Sequence, residues 1–134
     1  MQPFDRDRHK PEEPLRPPGL QLLFCRRDAA VVFVAKMPDA LCCYGKLIRS
    51  SVIITILEEL MSRTAQVFLK KEYRTKQMHV AFMKPIQNTG TLKGEGRILS
   101  VEGKRVATIE GVIFNGRKEI SAKSTSEWTK EPDR

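Results

Sequence analysis

Side chains that bind metal or exchange electrons are few in this chain, and badly placed. Its 134 residues contain three cysteines, Cys25, Cys42 and Cys43. An odd number with two adjacent gives no disulfide framework. Reduced thiols in a cytoplasmic protein are the simplest reading. Two histidines, His9 and His79, and no Cys-x-x-Cys pair leave metal chemistry without a ligand set, so neither a metal ion nor a resident cofactor is expected. No Gly-x-Ser-x-Gly elbow occurs, which argues against a serine hydrolase of that design. Gly94-x-Gly96 opens no helix, so it marks a bulge or close backbone approach rather than a dinucleotide fingerprint. No apolar run is long enough to span a bilayer. The N-terminus, MQPFDRDRHKPEEP, lacks the apolar centre of a signal peptide. A cytoplasmic location with no membrane partner is the expectation.

Charge, by contrast, is plentiful. The net charge is +8. Residues 1–19 hold four basic and four acidic side chains, so the excess lies beyond them. Lys70, Lys71, Arg74, Lys76, Lys84, Lys93, Arg97, Lys104, Arg105, Arg117 and Lys118 surround the expected strands and turns. A basic domain attracts phosphates, of nucleic acid or of a nucleotide cofactor. A solvated surface that keeps the chain soluble explains the charge about as well. Aromatic residues among these cations are thin, chiefly Tyr73, Phe82, Phe114 and Trp128, and no nucleic-acid motif occurs. Nucleic acid therefore ranks last among the candidate partners.

Five of the eight prolines fall in residues 1–19. That segment reads as a flexible arm. Residues 20–129 form one domain and 130–134 a frayed tail. AAVVFVA suggests a first strand ending at Met37-Pro38-Asp39. ALCCYGKLIR, residues 40–49, is a connector with room for one turn of helix. Ser50 to Phe68 then repeats with a helical period. Ile53, Ile54, Ile56, Leu57, Leu60, Met61, Thr64, Ala65, Val67 and Phe68 cover about half its circumference, more than an ordinary surface helix shows. Ser50 or Ser51 is placed to cap it. Glu58 falls at the edge of the apolar face. Glu59 projects further into the polar arc and reads as a surface charge.

Beyond the helix the period changes to two. Met78, Val80 and Phe82 alternate up to Pro85, which ends or edges that strand. Leu92 to Val101 and Arg105 to Phe114 are strands joined at Glu102-Gly103. Asn115-Gly116 signals a two-residue hairpin, and Ile120, Ala122, Ser124, Ser126 and Trp128 share one face of a last strand. The order is strand, helix, then four strands: an α+β domain in which a curved antiparallel sheet wraps one long helix.

From Leu20 to Trp128 this order resembles the hotdog fold, and within it the small acyl-CoA thioesterases of the phenylacetyl-CoA thioesterase type. The members of that family enter the central helix through a His-Gly-Gly step and carry an acidic residue nine positions after the His. Here Arg49-Ser50-Ser51 stands at the step and Glu58 lies nine positions after Arg49. Phe82-Met83-Lys84-Pro85-Ile86 is similar to the family's strand-ending signature. Residues 94–97, 103–106 and 115–120 are similar to its hairpins.

The resemblance implies catalytic roles for Glu58, Ser50, Ser51 and Thr75. Glu58 would attack a thioester carbonyl or activate water. The amides of Ser50 and Ser51 would polarise that carbonyl, and Thr75 would help to place the nucleophile from a second subunit. Arg49 stands where the family's substrate-holding His stands, and would be placed to pair with Glu58. Arg97, Lys104, Arg105, Arg117 and Lys118 would offer charge to the coenzyme A phosphates. The implied function is hydrolysis of an acyl-CoA to free acid and CoA by a homodimer or homotetramer. The altered Arg49-Ser50-Ser51 step favours a second reading, a non-catalytic acyl-CoA-binding or regulatory protein of the same fold.

Overall fold

The computed structural model describes residues 16–69 and 73–130. The arm up to residue 15, residues 70–72 (with Lys70 and Lys71) and residues 131–134 lie outside the described residues. The helix, α1 (Ser50–Leu69), lies across a six-stranded antiparallel sheet of β1 (Gln21–Arg27), β2 (Ala30–Lys36), β5 (Tyr73–Phe82), β6 (Thr91–Glu102), β7 (Val106–Phe114) and β8 (Ile120–Lys130). Their spatial order is β1-β2-β6-β7-β8-β5, with β1 and β5 at the two edges. β3 (Cys42–Cys43) and β4 (Leu47–Ile48) pair separately in the connector, beside two single turns of 3-10 helix.

The sheet has one strand more than the order read from the sequence. Residues 21–36 form a hairpin, with Phe24 opposite Phe33. Its first strand hides in the sequence because Leu22, Leu23, Phe24 and Cys25 are consecutive and show no period of two. Its turn carries no glycine; Asp28 takes the left-handed conformation instead, at φ 54°.

The helix sits close to the sheet because the strands beneath it carry small residues. Gly96 on β6, Gly111 on β7 and Ser124 on β8 lie side by side in the ladder. A Cβ on Gly111 would stand 3.2 Å from Met61 and 3.3 Å from Leu57, and one on Gly96 would collide with Thr64. Phe33, Ile53, Ile56, Leu57, Leu60, Met61, Ile109 and Ile113 fill the space around this contact and are fully buried. Trp128 closes the far end of the core, where its Nε1–H donates to Ser126 Oγ at 2.7 Å. The Ser126 hydroxyl in turn donates to Met61 Sδ at 2.9 Å and so joins β8 to α1.

Three local expectations change. Arg49, not a serine, holds the cap position: its carbonyl accepts from the amides of Val52 and Ile53 at 3.0 and 3.1 Å. The β7–β8 connection is longer than two residues. Asn115 begins a turn in which its side-chain oxygen accepts from the amides of Arg117 and Glu119, and Lys118, at φ 63°, supplies the left-handed residue. Glu59 is buried, at 8 % exposure, although its phase on the helix points away from the sheet.

Candidate active site

A cleft of about 320 Å³ opens at the start of α1. Ile48 and Ile53 line one side, Phe82, Met83, Pro85 and Ile86 the other, and Ser50 and Lys84 complete it. β4 is tied to the segment after β5 by a hydrogen bond from the Ile48 amide to the Ile86 carbonyl, 2.9 Å. That bond brings the end of the edge strand against the helix start. Phe82 and Met83 are half exposed, so the apolar wall continues outwards from the cleft.

The first amides of a helix have no partner within it and sit at the positive end of its dipole. Here these are the N–H groups of Ser50 and Ser51, both exposed residues beside the apolar walls. Glu58 is also exposed, two turns further along. It occupies the flank of Met61, three residues on, whose sulfur faces β8. Glu58 therefore lies on the β8–β5 side of the helix.

Arg49 is exposed, and among the described residues no ion pair joins it to Glu58. The expected pairing of these two side chains is absent. Glu59, by contrast, holds ion pairs with Arg16 and, at 3.7 Å, with Arg63. The sequence could not show this, because Arg16 comes from a segment 43 residues away.

Thr75 is exposed and lies near the start of β5, opposite Trp128. The cleft meets the other end of that strand, at Phe82. Seven residues of strand separate the two, about 23 Å, so one chain does not bring Thr75 to the cleft.

The five expected phosphate contacts are also dispersed. Lys104 and Arg105 sit in the β6–β7 turn beside Tyr73, whose hydroxyl donates to the Lys104 carbonyl at 3.2 Å. Arg97 faces away from the helix and is held by Glu95 at 2.7 Å. Arg117 and Lys118 stand at the cleft end, next to Glu119, whose carboxylate pairs with Lys84 at 2.8 Å. The Asn115 side-chain amide also donates to Glu119 at 3.0 Å, and these contacts hold the Glu119 carboxyl below its ordinary range. Lys84 is thus the one ionic group of the cleft lining. Its signal in the sequence was its place immediately before Pro85.

Cations elsewhere on the outer sheet face alternate with acids, as in Lys123–Glu110 at 3.2 Å and Lys76–Glu127 at 3.8 Å. This is not the unbroken basic stripe that a nucleic-acid backbone requires. Among the described residues no cluster of three His, Cys, Asp or Glu could hold a metal, and no helix is long and apolar enough to cross a membrane.

No protein-family model and no curated protein matches the sequence. Solved structures do match. A hypothetical thioesterase of Streptococcus pneumoniae, determined with coenzyme A, superposes with a TM-score of 0.72 at 17% identity, over 85% of this chain and 88% of that one. A Streptococcus mutans protein bound to acetyl-CoA gives a TM-score of 0.72 at 17% identity, over 92% and 97% of the two chains. A phenylacetic acid degradation-related protein of Ralstonia eutropha gives a TM-score of 0.70 at 17% identity, over 90% and 94%. The agreement covers the helix and the sheet that wraps it, and this chain has the hotdog fold.

Proposed function

We propose that the chain is an acyl-CoA thioesterase whose catalytic carboxylate is Glu58. The observation that carries this reading is the apolar cleft at the start of α1, with unpartnered helix amides at its edge. The exposed Glu58 carboxylate lies too far along the same helix to act there within one chain, and is available to a cleft across an assembly. Similar solved structures that hold coenzyme A or acetyl-CoA support the substrate class. In this reading the acyl group enters between Ile53 and Phe82. The amides of Ser50 and Ser51 stabilise the oxyanion that forms as the thioester carbonyl is attacked. Glu58 supplies the attack, directly or through water, and CoA leaves as the thiol. Arg117, Lys118 and Lys84, at the cleft end, are the cations nearest to a ligand seated there. Arg49, exposed between the lining residues Ile48 and Ser50, is a further cation beside the cleft, whereas Arg97, Lys104 and Arg105 stand farther out and would meet a ligand only across an assembly.

Geometry favours a site shared between chains. Ser50 and Glu58 are separated by about 12 Å of helix rise. A reacting carbonyl needs its donor and its nucleophile within about 3 Å each. One chain holds these groups apart, and β5 is an edge strand with its outer row of backbone groups open to another chain. Antiparallel pairing of two β5 strands would also carry the partner's Thr75 towards the Phe82 end. A homodimer, or a homotetramer built from it, is the assembly that this reading requires.

The departure at Ser50-Ser51 supports the non-catalytic alternative, because two Cβ atoms stand where glycine would let a ligand approach. The test is CoA release from a panel of acyl-CoAs by wild type and Glu58→Gln. Turnover that falls by about 10²–10⁴ in the variant supports the catalytic reading. No release by wild type, with CoA esters still raising Tm, replaces it with the binding reading.

A further inference from the structure

α1 carries two neighbouring carboxylates with opposite surroundings. Glu58 is open to solvent, and Glu59 is covered. What covers Glu59 is the chain that precedes β1. Both ends of the Arg16 guanidinium reach it, Nε to Oε1 at 3.4 Å and the terminal nitrogen to Oε2. The Glu59 side chain is 7 % exposed in this pair and that of Arg16 28 %. Arg63, one turn along, approaches the same carboxylate at 3.7 Å and stacks on the Phe24 ring of β1 at 5.0 Å.

The segment that delivers Arg16 is short and stiff. A residue before proline is confined to extended backbone, which limits Arg16, and Pro17 and Pro18 have fixed φ. The Leu20 amide donates to the Pro17 carbonyl at 3.2 Å, and Gly19 has φ 86°. Pro18-Gly19 is the central pair that a type II turn requires. After the turn Leu20 is buried in the core at 4 % exposure. Gly19 itself lies against Pro38: a Cβ there would stand 3.1 Å from the proline Cγ. Pro38 opens the connector that ends at the start of α1.

We propose that residues 16–20 are a strap, latched by Arg16 to Glu59 and anchored by Leu20, that fixes α1 to the edge hairpin and to its own connector. Glu59 is then a positioning residue and not a second catalytic carboxylate. The strap spans the helix on the flank opposite Glu58, so it leaves the cleft and the β5 edge open. It holds the helix that presents Glu58, Ser50 and Ser51, and its existence does not depend on any reaction at them.

Hydrogen exchange at the Leu20 amide tests the strap in the full chain. Wild type is compared with Arg16→Ala, Glu59→Gln, the double variant and, as control, Glu58→Gln. Release of the latch is expected to lower protection of that amide about tenfold in each single variant, with no further loss in the double variant. Arg16→Lys, which keeps charge but loses the fork, should recover part of the protection, and Glu58→Gln should leave it at the wild-type value. Unchanged protection in Arg16→Ala overturns the proposal. So does a double variant whose loss is the product of the two single losses. Arg16→Ala decides alone should Glu59→Gln not fold, since Arg16 is partly exposed and makes no core contact through its charge. Thioesterase activity is read separately, so failure of the strap and failure of the catalytic assignment are distinguishable.

Discussion

Replacing Gly96 by alanine puts one methyl group where α1 crosses β6. The new Cβ would overlap Thr64 Oγ1 and stand 3.3 Å from Leu60 Cγ. Thr64 cannot turn away freely, because it is fully buried and its hydroxyl donates to the Leu60 carbonyl at 2.8 Å. Either that bond breaks or the helix lifts. Overpacking of this kind costs about 1–3 kcal/mol. Alanine restricts the unfolded chain and returns about 0.4–1 kcal/mol. The difference leaves Gly96→Ala destabilised by roughly 1–2 kcal/mol, a Tm lower by about 3–8 °C for a domain of this size. Gly111→Ala provides the comparison. Its Cβ meets Met61, Leu57 and Leu60 at 3.2–3.3 Å, all side-chain atoms with room to adjust. Its stability should stay within about 1 kcal/mol of wild type. Thr64→Ala removes the atom in the way, so in urea titrations the Gly96→Ala/Thr64→Ala pair should be more stable than the sum of its singles by about 1 kcal/mol. A Gly96→Ala protein as stable as Gly111→Ala, or a strictly additive pair, would refute the claim that helix and sheet touch here.

Ser124 and Ser126 lie on the same buried face of β8, yet only the Ser124 hydroxyl has no hydrogen-bond partner. Ser124→Ala should be neutral or stabilising by up to about 1 kcal/mol, whereas Ser126→Ala should lose about 1 kcal/mol by orphaning the Trp128 N–H; urea titration ranks the two. The lowered Glu119 carboxyl gives a pH signature. A group whose pKa falls on folding stabilises the native state above its unfolded value, and that contribution is lost as pH drops through the lower folded value. Glu119→Gln should thus be less stable than wild type near neutrality, and the gap should close as pH falls below 4.5, the ordinary carboxylate value. Equal gaps at pH 7 and pH 3 in thermal melts would remove the ion pair from the account. Among the thiols, burial raises the Cys42 pKa above 9.0, and Asn88 offsets this only in part. Iodoacetamide at pH 8, followed by peptide mass spectrometry, should alkylate exposed Cys25 and Cys43 before Cys42.

Local periodicity determined much of this protein. The run from Ser50 to Phe68 carries a period that suits one long helix and nothing else, and α1 ends one residue beyond it. The alternation from Ile120 to Trp128 placed Ala122, Ser124, Ser126 and Trp128 on the inner face of β8, but Ile120, read on the same face, is 40 % exposed. Gly94 and Gly96 marked either a bulge or a close backbone approach, and the structure shows the close approach. These signals are legible because the residues that generate them are a turn or a pleat apart. Tertiary structure decided the rest. β1 alternates in the fold, with Leu22 and Phe24 turned towards the core, but the outward Leu23 between them is just as apolar and is 75 % exposed, so the sequence shows no alternation. Glu59 has the helical phase of a surface charge and is buried by an arginine 43 residues away. Arg105 and Arg117 are close in sequence, but β7 carries the chain across the sheet between them and leaves them at opposite ends. The cleft itself joins the start of a helix to the end of a strand more than thirty residues later. No window of sequence contains both walls, and only the folded sheet sets them face to face.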